Sequence, residues 1–366
     1  MIYLDNSATT YPKPPCTAEA MNWAMEKFGA NPGRGSNPLS QKAAEEVYNV
    51  REKAGKFFNA KPENVIFTQN ATMAANFAIK GLLDDSSHCL ISNYEHNAVW
   101  RPVHKTCAYS VFEMCDTQGE TLYSISKKLR KNTKCVICTA VSNVTGRIMP
   151  VKEICAFARD RGLISIVDAS QAAGYIPCDV KDIGCDILFT SGHKGLYGPF
   201  GTGLLILNTD IQLKTLIEGG TGTTSNEANQ PPFPPERYEA GTLNMCGIIG
   251  LGAGIDFVSR YGEKINENEY ELTADLRADL AEYGITVYDK EFNFTPVTSF
   301  NLSDVTPAEV DERLRAAGIC VRSGLHCASL AHRTLGTHEK GTVRVSIGAF
   351  NTRRDINALL RVVKNI

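Results

Sequence analysis

The sequence has no apolar run that approaches the roughly 18 residues needed to span a membrane. Its first five residues turn polar at once and lack the basic and then apolar order of a secretory signal peptide. With 38 basic and 40 acidic side chains, the net charge is −2, which leaves no broad basic surface for nucleic acid or anionic lipid. We therefore expect a cytoplasmic protein that binds neither nucleic acid nor membranes.

Two pairs of cysteines at the distances of a zinc site are also missing, although the chain contains 12 cysteines. In the absence of a secretory signal, we expect these to be free thiols in a reducing compartment. Cys135 and Cys138 have the spacing of redox and zinc motifs, but no second pair follows them. Because they lie in an apolar run typical of a strand, they should point to opposite faces and pack in the core. The sequence thus predicts no metal site.

The length of 366 residues and the order of apolar segments predict a large domain and a smaller one. Between residues 65 and 207, short apolar strands alternate with helical segments, which is typical of an α/β fold with a mostly parallel sheet covered on both faces. The last part of the chain predicts a smaller α+β unit. Residues 248–283 are expected to form two helices, broken near Gly262, that join the two units.

Two further helices are predicted near the N-terminus. The first covers residues 17–28, and the second ends at about Phe58 and has Ser40 as its N-cap. Residues 29–38 between them are rich in glycine and proline and cannot form regular structure. A loop of this length within a compact domain is more often functional than not.

Polar side chains follow the predicted strands at the points where these strands end. They are His96, Asn143, Asp168, Gln171 and Lys194. In parallel α/β sheets, ligands bind beyond the carboxyl ends of the strands, because those ends share one edge of the sheet. We therefore expect these five side chains to line a common site.

Lys194 and its neighbours indicate the chemistry of that site. Burial at the end of a strand lowers the pKa of a lysine, and a neutral amine can form a Schiff base with an aldehyde. Asp168 is suited to stabilise a ring N–H cation, while Ala71 and Thr72 open a helix whose N–H groups can meet a phosphate. These three features are the ones that pyridoxal 5'-phosphate requires. Taken singly, Lys194 is equally typical of a surface turn, and Ala71 and Thr72 are equally typical of a simple helix cap. Asp168 alone is more typical of a solvated loop.

Eight short motifs, in order along the chain, resemble those of the cysteine desulfurase family of class V aminotransferase-type enzymes, in the branch that includes selenocysteine lyases. They are Tyr3-Leu-Asp-Asn-Ser-Ala-Thr, Glu95-His96-Asn97, Ser142-Asn143, Asp168-Ala-Ser-Gln171, Ser191-Gly-His-Lys194, Glu239-Ala-Gly-Thr242, Arg322-Ser-Gly-Leu-His-Cys327 and Val343-Arg344. The resemblance implies the pyridoxal-phosphate-dependent transferase fold of type I, with a mostly parallel seven-stranded sheet in a large domain of residues 15–254. Residues 1–14 and 255–366 would form a smaller α+β domain that carries the Cys327 loop, and the protein would be a homodimer.

The same resemblance implies a role for each site residue. Lys194 would carry the coenzyme, Asp168 would hold the pyridine nitrogen, and His96 would stack on the ring and move protons. The phosphate would be bound by Ala71, Thr72, Ser191 and His193, with Thr242 reaching in from a second subunit. Asn143 and Gln171 would contact the substrate and the ring oxygen. The substrate would also contact Ala8, Arg322 and Arg344.

Cys327 decides between the reactions that this coenzyme supports. It follows His326 in a glycine-containing loop and is flanked by Arg322 and His332, and nearby positive charge favours the nucleophilic thiolate. A free cysteine is usually packing material, but the place of this one in the matched motif favours catalysis. About 16 residues separate it from Arg344, which resembles the branch with a short cysteine loop whose members rely on a sulfur-acceptor protein.

The expected reaction converts L-cysteine, or L-selenocysteine, to L-alanine, with a persulfide formed on Cys327. The alternatives are a selenocysteine lyase, a cysteine or cystine C–S lyase, and a sulfur-relay scaffold without turnover. Met73 stands where the family commonly has an acidic residue, and Leu325 stands where this branch usually has a second histidine. These departures concern the substrate and the acceptor rather than the cofactor.

Overall fold

The computed structural model describes residues 1–27, 29–32 and 37–366. The α-helices within these ranges are α1 Pro15–Lys27, α2 Pro38–Phe58, α3 Ala71–Leu82, α4 Asn97–Thr106, α5 Gln118–Lys127, α6 Val151–Arg159, α7 Val180–Ile183, α8 Met245–Glu282, α9 Pro307–Ala316, α10 Ser329–Thr334 and α11 Arg353–Val363. The strands are β1 Ile2–Tyr3, β2 Val65–Thr68, β3 His88–Ser92, β4 Ala108–Phe112, β5 Thr133–Thr139, β6 Ile164–Asp168, β7 Ile187–Ser191, β8 Gly203–Leu207, β9 Thr286–Val287, β10 Val297–Asn301, β11 Ile319–Cys320, β12 Arg322–Gly324 and β13 Thr342–Ser346. Strands and helices alternate from β2 to β7, as the sequence predicts for an α/β fold.

Seven strands form one central sheet in the order β2-β8-β7-β6-β5-β3-β4. β3 pairs in parallel with β4 and β5, and β6 pairs in parallel with β5 and β7. β8 is antiparallel to both of its neighbours, β7 and β2. The predicted seven-stranded, mostly parallel sheet is therefore confirmed.

Helices cover both faces of this sheet, which explains why its central strands are apolar along most of their length. Cys135 packs with apolar residues of α3 and α4, whereas Cys138 packs with those of α2, α6 and α8. Cys135 Sγ also lies 3.4 Å from Cys89 Sγ on the neighbouring strand. The two cysteines of the Cys135–Cys138 motif thus point to opposite faces and are core residues, as predicted.

Within residues 1–27, 29–32 and 37–366, no helix is long and apolar enough to cross a membrane. The described part of the chain also contains no group of three or more His, Cys, Asp or Glu side chains placed to hold a metal ion. All 12 cysteines are free thiols. Burial raises the pKa of Cys155 and Cys178 to about 12, so these core sulfurs remain protonated and are poor nucleophiles.

The strand order brings the carboxyl ends of β3, β5, β6 and β7 to one edge of the sheet. The loops after these strands carry His96, Asn143, Gln171 and Lys194, and Asp168 is the last residue of β6. The start of α3 lies against the first residue of β8, Gly203, because a Cβ atom there would lie 2.6 Å from the Asn70 backbone. The convergence predicted from the polar strand ends is therefore present in the fold.

A smaller layer is built from N-terminal residues and from the C-terminal third of the chain. Strands β12, β13, β10 and β9 form an antiparallel sheet, and β1 pairs in parallel with β11. A separate apolar core unites Leu4 with residues of β10, β13, α9, α11 and the second half of α8. The predicted boundary between residues 254 and 255 falls inside α8, and the division into two domains stays a prediction.

Helix α8 is one continuous helix of 38 residues. The predicted break near Gly262 is wrong, because one glycine costs a helix only about 1 kcal/mol relative to alanine and Gly262 is buried where the helix packs. Gly254 on the same helix approaches the turn after Lys194, since a Cβ atom there would lie 2.3 Å from the Leu196 carbonyl oxygen. The helix therefore packs directly against the segment that carries the predicted site.

Helix α2 begins at Pro38, two residues before the predicted N-cap. The assignment of Ser40 as the cap is wrong, because the Asn37 side chain caps this helix and accepts a hydrogen bond from Ser40 N at 2.9 Å. Pro38 suits the first helical position, where its ring presets φ and no N–H donor is needed. The predicted end of the preceding helix, Phe28, and residues 33–36 of the predicted loop lie outside the described residues.

A buried ion pair connects α2 to the segment that precedes α8. Arg51 Nη1 and Nη2 each lie 2.8 Å from a carboxylate oxygen of Glu239, and both side chains are buried. Phe67 N donates a further hydrogen bond to Glu239 at 2.7 Å. Removal of one partner from a buried pair leaves an uncompensated charge in the interior, so this contact should be sensitive to single substitutions.

Arg51→Met is expected to lower the free energy of unfolding by about 3–5 kcal/mol, because Glu239 then remains buried without its cation. Urea unfolding followed by circular dichroism measures the change. Lys53→Met on the same helix is the control, since the Lys53–Asp256 pair is exposed and contributes about 1 kcal/mol or less. Equal losses in the two variants would contradict the importance given to the buried pair.

Candidate active site

Lys194 lies three residues beyond the end of β7, in a turn held by the N-terminal segment. The preceding carbonyl oxygen, that of His193, accepts hydrogen bonds from Thr9 Oγ1 at 3.0 Å and from Thr10 N at 3.2 Å. Lys13 Nζ donates to the same oxygen at 2.7 Å. These contacts fix the peptide before the lysine, so its side chain starts from a defined position.

The Lys194 amine has a lowered pKa and charged neighbours. Burial lowers this pKa to about 8. Within this net shift, Arg344 and Arg322 act in the same direction as burial, whereas Asp168 and Cys327 act to raise the pKa. A lysine in this state can act as a nucleophile and as a base.

Asp168, the last residue of β6, is buried beside the lysine. Its Oδ1 accepts a hydrogen bond from Ser170 N at 2.8 Å. Burial raises the pKa of Asp168, while the bonds from Ser170 and the positive charge of Lys194 lower it. A buried carboxylate in this position is suited to hold a cationic N–H group, which is the role that the resemblance implies.

His96 is the N-cap of α4, and its ring is neutral. Nδ1 accepts a hydrogen bond from Ala98 N at 3.0 Å, so the single ring proton lies on Nε2. Burial, followed by the positive charges of Lys194 and Arg322, lowers the pKa of His96 to about 3. An uncharged ring at this position can stack on a flat cofactor without adding positive charge to the site.

Two buried polar atoms next to the lysine have no hydrogen-bond partner among the described residues. They are Ser191 Oγ and His193 Nδ1. Buried polar groups are nearly always hydrogen-bonded, so these atoms indicate a polar ligand. Burial, Lys194 and Lys13 together lower the pKa of His193 to about 4. A hydroxyl, an imidazole and nearby ammonium groups form a donor set that suits a phosphate.

The N-terminus of α3 adds main-chain donors at the same edge of the sheet. Asn70 caps this helix by accepting a hydrogen bond from Met73 N at 2.9 Å. The N–H groups of Ala71 and Thr72, at the first two helical positions, have no acceptor within the helix. Together with the helix dipole, they favour a bound anion.

The loop after β6 contributes two further atoms without partners in the described part of the chain, Ser170 Oγ and Gln171 Oε1. Gln171 Nε2 donates to the carbonyl oxygen of Ser7 at 3.0 Å, which joins this loop to the N-terminal segment. Ala8, implied to contact the substrate, follows Ser7 and donates its N–H to Asp5 O at 3.0 Å. Gln171 and Ala8 therefore lie at the same edge as the lysine.

Arg344 lies in β13 and is almost fully buried. Its Nη2 donates to Asp5 Oδ1 at 2.7 Å, and its Nη1 donates to the carbonyl oxygen of Asn143 at 2.9 Å. Its Nε has no partner among the residues described. Asp5 is a candidate site residue that the sequence prediction did not include, although it belongs to the first matched motif. It balances the charge of the arginine and orients the guanidinium.

Cys327 is exposed, unlike the core cysteines. The pairing of β12 with β13 places Arg322 opposite Arg344, and Arg322 Nη2 lies 3.9 Å from Cys327 Sγ. The Cys327 carbonyl oxygen accepts a hydrogen bond from Asn97 N at 2.7 Å, which places the cysteine loop beside His96.

Two residues with implied roles make other contacts within this single chain. Asn143 Nδ2 donates to the carbonyl oxygen of His326 at 2.7 Å, so its amide faces the Cys327 loop. Thr242 is exposed, and its Oγ1 accepts a hydrogen bond from Asn31 Nδ2 at 3.4 Å. No hydrogen bond in the described ranges joins Thr242 to the lysine, serine or histidine of the site. Its role toward a second subunit stays a prediction.

The assembled residues fit pyridoxal phosphate. The unpartnered atoms of Ser191 and His193, with the start of α3, match a phosphate. Asp168 matches a ring N–H, and the amine of Lys194 matches an aldehyde. The donor set therefore agrees in type with each part of the coenzyme.

Comparison with known proteins identifies the family. The Aminotransferase class-V family model matches residues 2–359. The chain belongs to this family. Class V aminotransferases use pyridoxal phosphate, which agrees with the donor set of the site.

The proteins similar to this chain over its whole length include a probable cysteine desulfurase of Methanothermobacter thermautotrophicus. It is 36% identical over 379 aligned positions, which cover 100% of this chain and 94% of the relative. A probable cysteine desulfurase of Pyrococcus abyssi is 34% identical over 384 positions, which also cover 100% and 94%. The apo structure of cysteine desulfurase from Thermococcus onnurineus NA1 gives a TM-score of 0.90 at 32% identity, covering 100% of this chain and 94% of that one. These likenesses confirm the resemblance found in the sequence motifs.

Lys194 in the coenzyme-free class V protein is expected to react with aldehydes at lower pH than an ordinary lysine. Because only the neutral amine is nucleophilic, a pKa of about 8 predicts that reductive methylation of Lys194 accelerates through pH 8 and then levels off. Formaldehyde with a mild borohydride supplies the reaction, and peptide mass mapping at each pH gives the rate at this residue.

Asp168→Asn is the matched control for that titration. The Asp168 carboxylate raises the pKa of Lys194, so its removal should move the midpoint to lower pH. A wild-type midpoint near the ordinary lysine value of 10.5 would contradict the proposed environment of the amine.

Proposed function

We propose that this class V enzyme is a cysteine desulfurase that converts L-cysteine to L-alanine and keeps the sulfur as a persulfide on Cys327. One observation carries the proposal: an exposed cysteine contacts Arg322 at 3.9 Å, and its carbonyl oxygen accepts a hydrogen bond at 2.7 Å from Asn97 N, next to His96. A transaminase has no use for such a thiol. The full-length likeness to probable cysteine desulfurases supports the same conclusion.

The bound coenzyme supplies an aldehyde and an electron-accepting ring. We assign Lys194 to the aldehyde, Asp168 to the ring nitrogen and His96 to the ring face. We assign the phosphate to Ala71, Thr72, Ser191, His193 and Thr242 of a second subunit. Asn143 and Gln171 are assigned to the substrate and the ring oxygen. The unpartnered buried atoms of Ser191, His193 and Gln171 support these assignments.

Lys194 Nζ takes the proton from the Cα atom of the substrate. A pKa of about 8 makes the neutral amine accessible near physiological pH, which a general base requires. Arg344, whose Nε has no partner among the described residues, binds the substrate carboxylate beside Arg322 and Ala8. Asp5 keeps the guanidinium of Arg344 oriented through the 2.7 Å contact.

Cys327 Sγ removes the sulfur by attacking the sulfur atom of the substrate. An S–S bond forms, and the C–S bond breaks with its electron pair left on the carbon side. That carbon takes up a proton and Cα recovers one from Lys194, so L-cysteine and the enzyme thiol give L-alanine and the enzyme persulfide. The transfer needs no outside oxidant, and Arg322 Nη2 lies 3.9 Å from the attacking sulfur.

A homodimer, a sulfur-acceptor protein and a cytoplasmic location complete the proposal. An acceptor is required because Cys327 must lose its extra sulfur before the next turnover. Twelve free thiols favour a reducing compartment. L-Selenocysteine is the alternative substrate, since selenium can leave carbon by the same attack.

Analysis of the reaction products distinguishes a cysteine desulfurase from a C–S lyase, a selenocysteine lyase and an inactive scaffold. The protein is incubated with L-cysteine or L-selenocysteine, with and without a thiol reductant. L-Alanine with persulfide supports the desulfurase, whereas pyruvate with ammonia indicates a C–S lyase. L-Alanine from L-selenocysteine alone indicates a selenocysteine lyase, and the absence of any product indicates a scaffold.

Cys327→Ser is expected to abolish persulfide formation and to lower L-alanine production from L-cysteine by at least about 100-fold, because the nucleophile is lost. Mass spectrometry of the intact protein and chromatography of the products measure the two effects. Cys115→Ser, at a residue outside the site, should retain both activities. Persulfide formed at the wild-type rate by Cys327→Ser would show that another group removes the sulfur.

A further inference from the structure

The loop that carries Cys327 has a strained backbone. His326 and Cys327 have positive φ angles of 48° and 57°, in the left-handed region that costs a non-glycine residue about 1–2 kcal/mol. Two such residues in succession persist only where the surrounding structure holds them. The contacts of this turn therefore indicate what fixes the position of the thiol.

Two hydrogen bonds hold the turn from the side of the central sheet. The His326 carbonyl oxygen accepts one from Asn143 Nδ2, and the Cys327 carbonyl oxygen accepts one from Asn97 N, both at 2.7 Å. The His326 ring is buried, and its Nε2 lies 3.0 Å from Thr342 Oγ1. The backbone at the thiol is thus fixed on both sides, while the side chain of Cys327 is exposed.

Asn143 and Asn97 hold the turn in different ways. Asn97 uses its main-chain N–H, which almost any residue at the start of α4 could supply. Asn143 uses its side-chain amide, and its own carbonyl oxygen accepts a hydrogen bond from Arg344 Nη1 at 2.9 Å. One residue therefore connects the arginine proposed to bind the substrate carboxylate with the loop that bears the nucleophile.

We propose that Asn143 is a positioning residue for Cys327, whose amide holds the turn at His326 and Cys327 at a fixed distance from the substrate bound by Arg344. The inference rests on the proposed desulfurase function. An amide nitrogen carries two N–H groups, and the bond to His326 uses one, so the side chain can hold the loop while it contacts the substrate. Such a hold matters because a misplacement of about 1 Å can cost about 100-fold in rate.

Asn143→Ala and Asn143→Asp in the coenzyme-loaded protein test the inference, since neither side chain donates to His326 O at neutral pH. Exchange of the Cα hydrogen of L-alanine in D2O needs Lys194 and the carboxylate site but not Cys327. Persulfide formation from L-cysteine needs all three. We expect persulfide formation to fall by about 100-fold, and by at least about tenfold more than Cα exchange. Equal falls in both rates, or no fall in either, would overturn the inference.

Alkylation of Cys327 by iodoacetamide, followed by peptide mapping, gives a readout that does not depend on turnover. Loss of the Asn143 amide lets the turn leave its strained conformation, so we expect several-fold faster alkylation in both variants. Asn97→Ala is the matched control, because it keeps the main-chain N–H and should alkylate at the wild-type rate. An unchanged rate in both Asn143 variants would overturn the inference.

The two proposals fail in different ways. Wild-type protein that exchanges the Cα hydrogen of L-alanine but forms no persulfide would contradict the desulfurase function. The alkylation rates would then still decide whether Asn143 holds the Cys327 turn.

Discussion

The burial of one amine is the constraint on which the rest of the structure depends. Lys194 lies at the carboxyl edge of a mostly parallel sheet, where burial lowers its pKa to about 8 while the Asp168 carboxylate opposes the shift. The positive charges of Arg322 and Arg344 lower the pKa of Lys194, in the same direction as burial. Because these effects partly cancel, the pKa of the amine is about 8, and the charged and neutral forms are both accessible near neutral pH. A solvent-exposed lysine in the same turn would be an ordinary cation with little nucleophilic character.

The two layers of the fold contribute different parts of the chemistry. The central sheet positions Lys194 and Asp168 through adjacent parallel strands. The smaller sheet positions Arg344, and the adjoining loop carries Cys327. The N-terminal segment joins the two layers, because Asp5 pairs with Arg344 while its following residues hold the peptide before the lysine. Proton transfer and sulfur transfer are thus assigned to separate structural units that meet at one edge.

Sequence reasoning succeeds where the signal is local and fails where packing decides. Apolar runs that end in polar residues predict the edge at which Asp168 and Lys194 meet, since strand pattern and strand end are both local features. Helix α8 continues through Gly262 because burial along the helix outweighs a local cost of about 1 kcal/mol. The Asp5–Arg344 pair joins positions 339 residues apart, and no pattern within either segment indicates it. The direction of the Asn143 amide is likewise set by a tertiary contact.

A crystal structure of the protein with pyridoxal phosphate bound would show directly whether Lys194 carries the coenzyme. We expect continuous electron density from the coenzyme to Lys194 Nζ, with the phosphate on Ser191 and His193 and the ring nitrogen on Asp168. It also predicts that Cys327 lies on the side of the molecule from which the substrate enters. A coenzyme attached to another lysine, or a Cys327 thiol with no path to that cavity, would contradict the account.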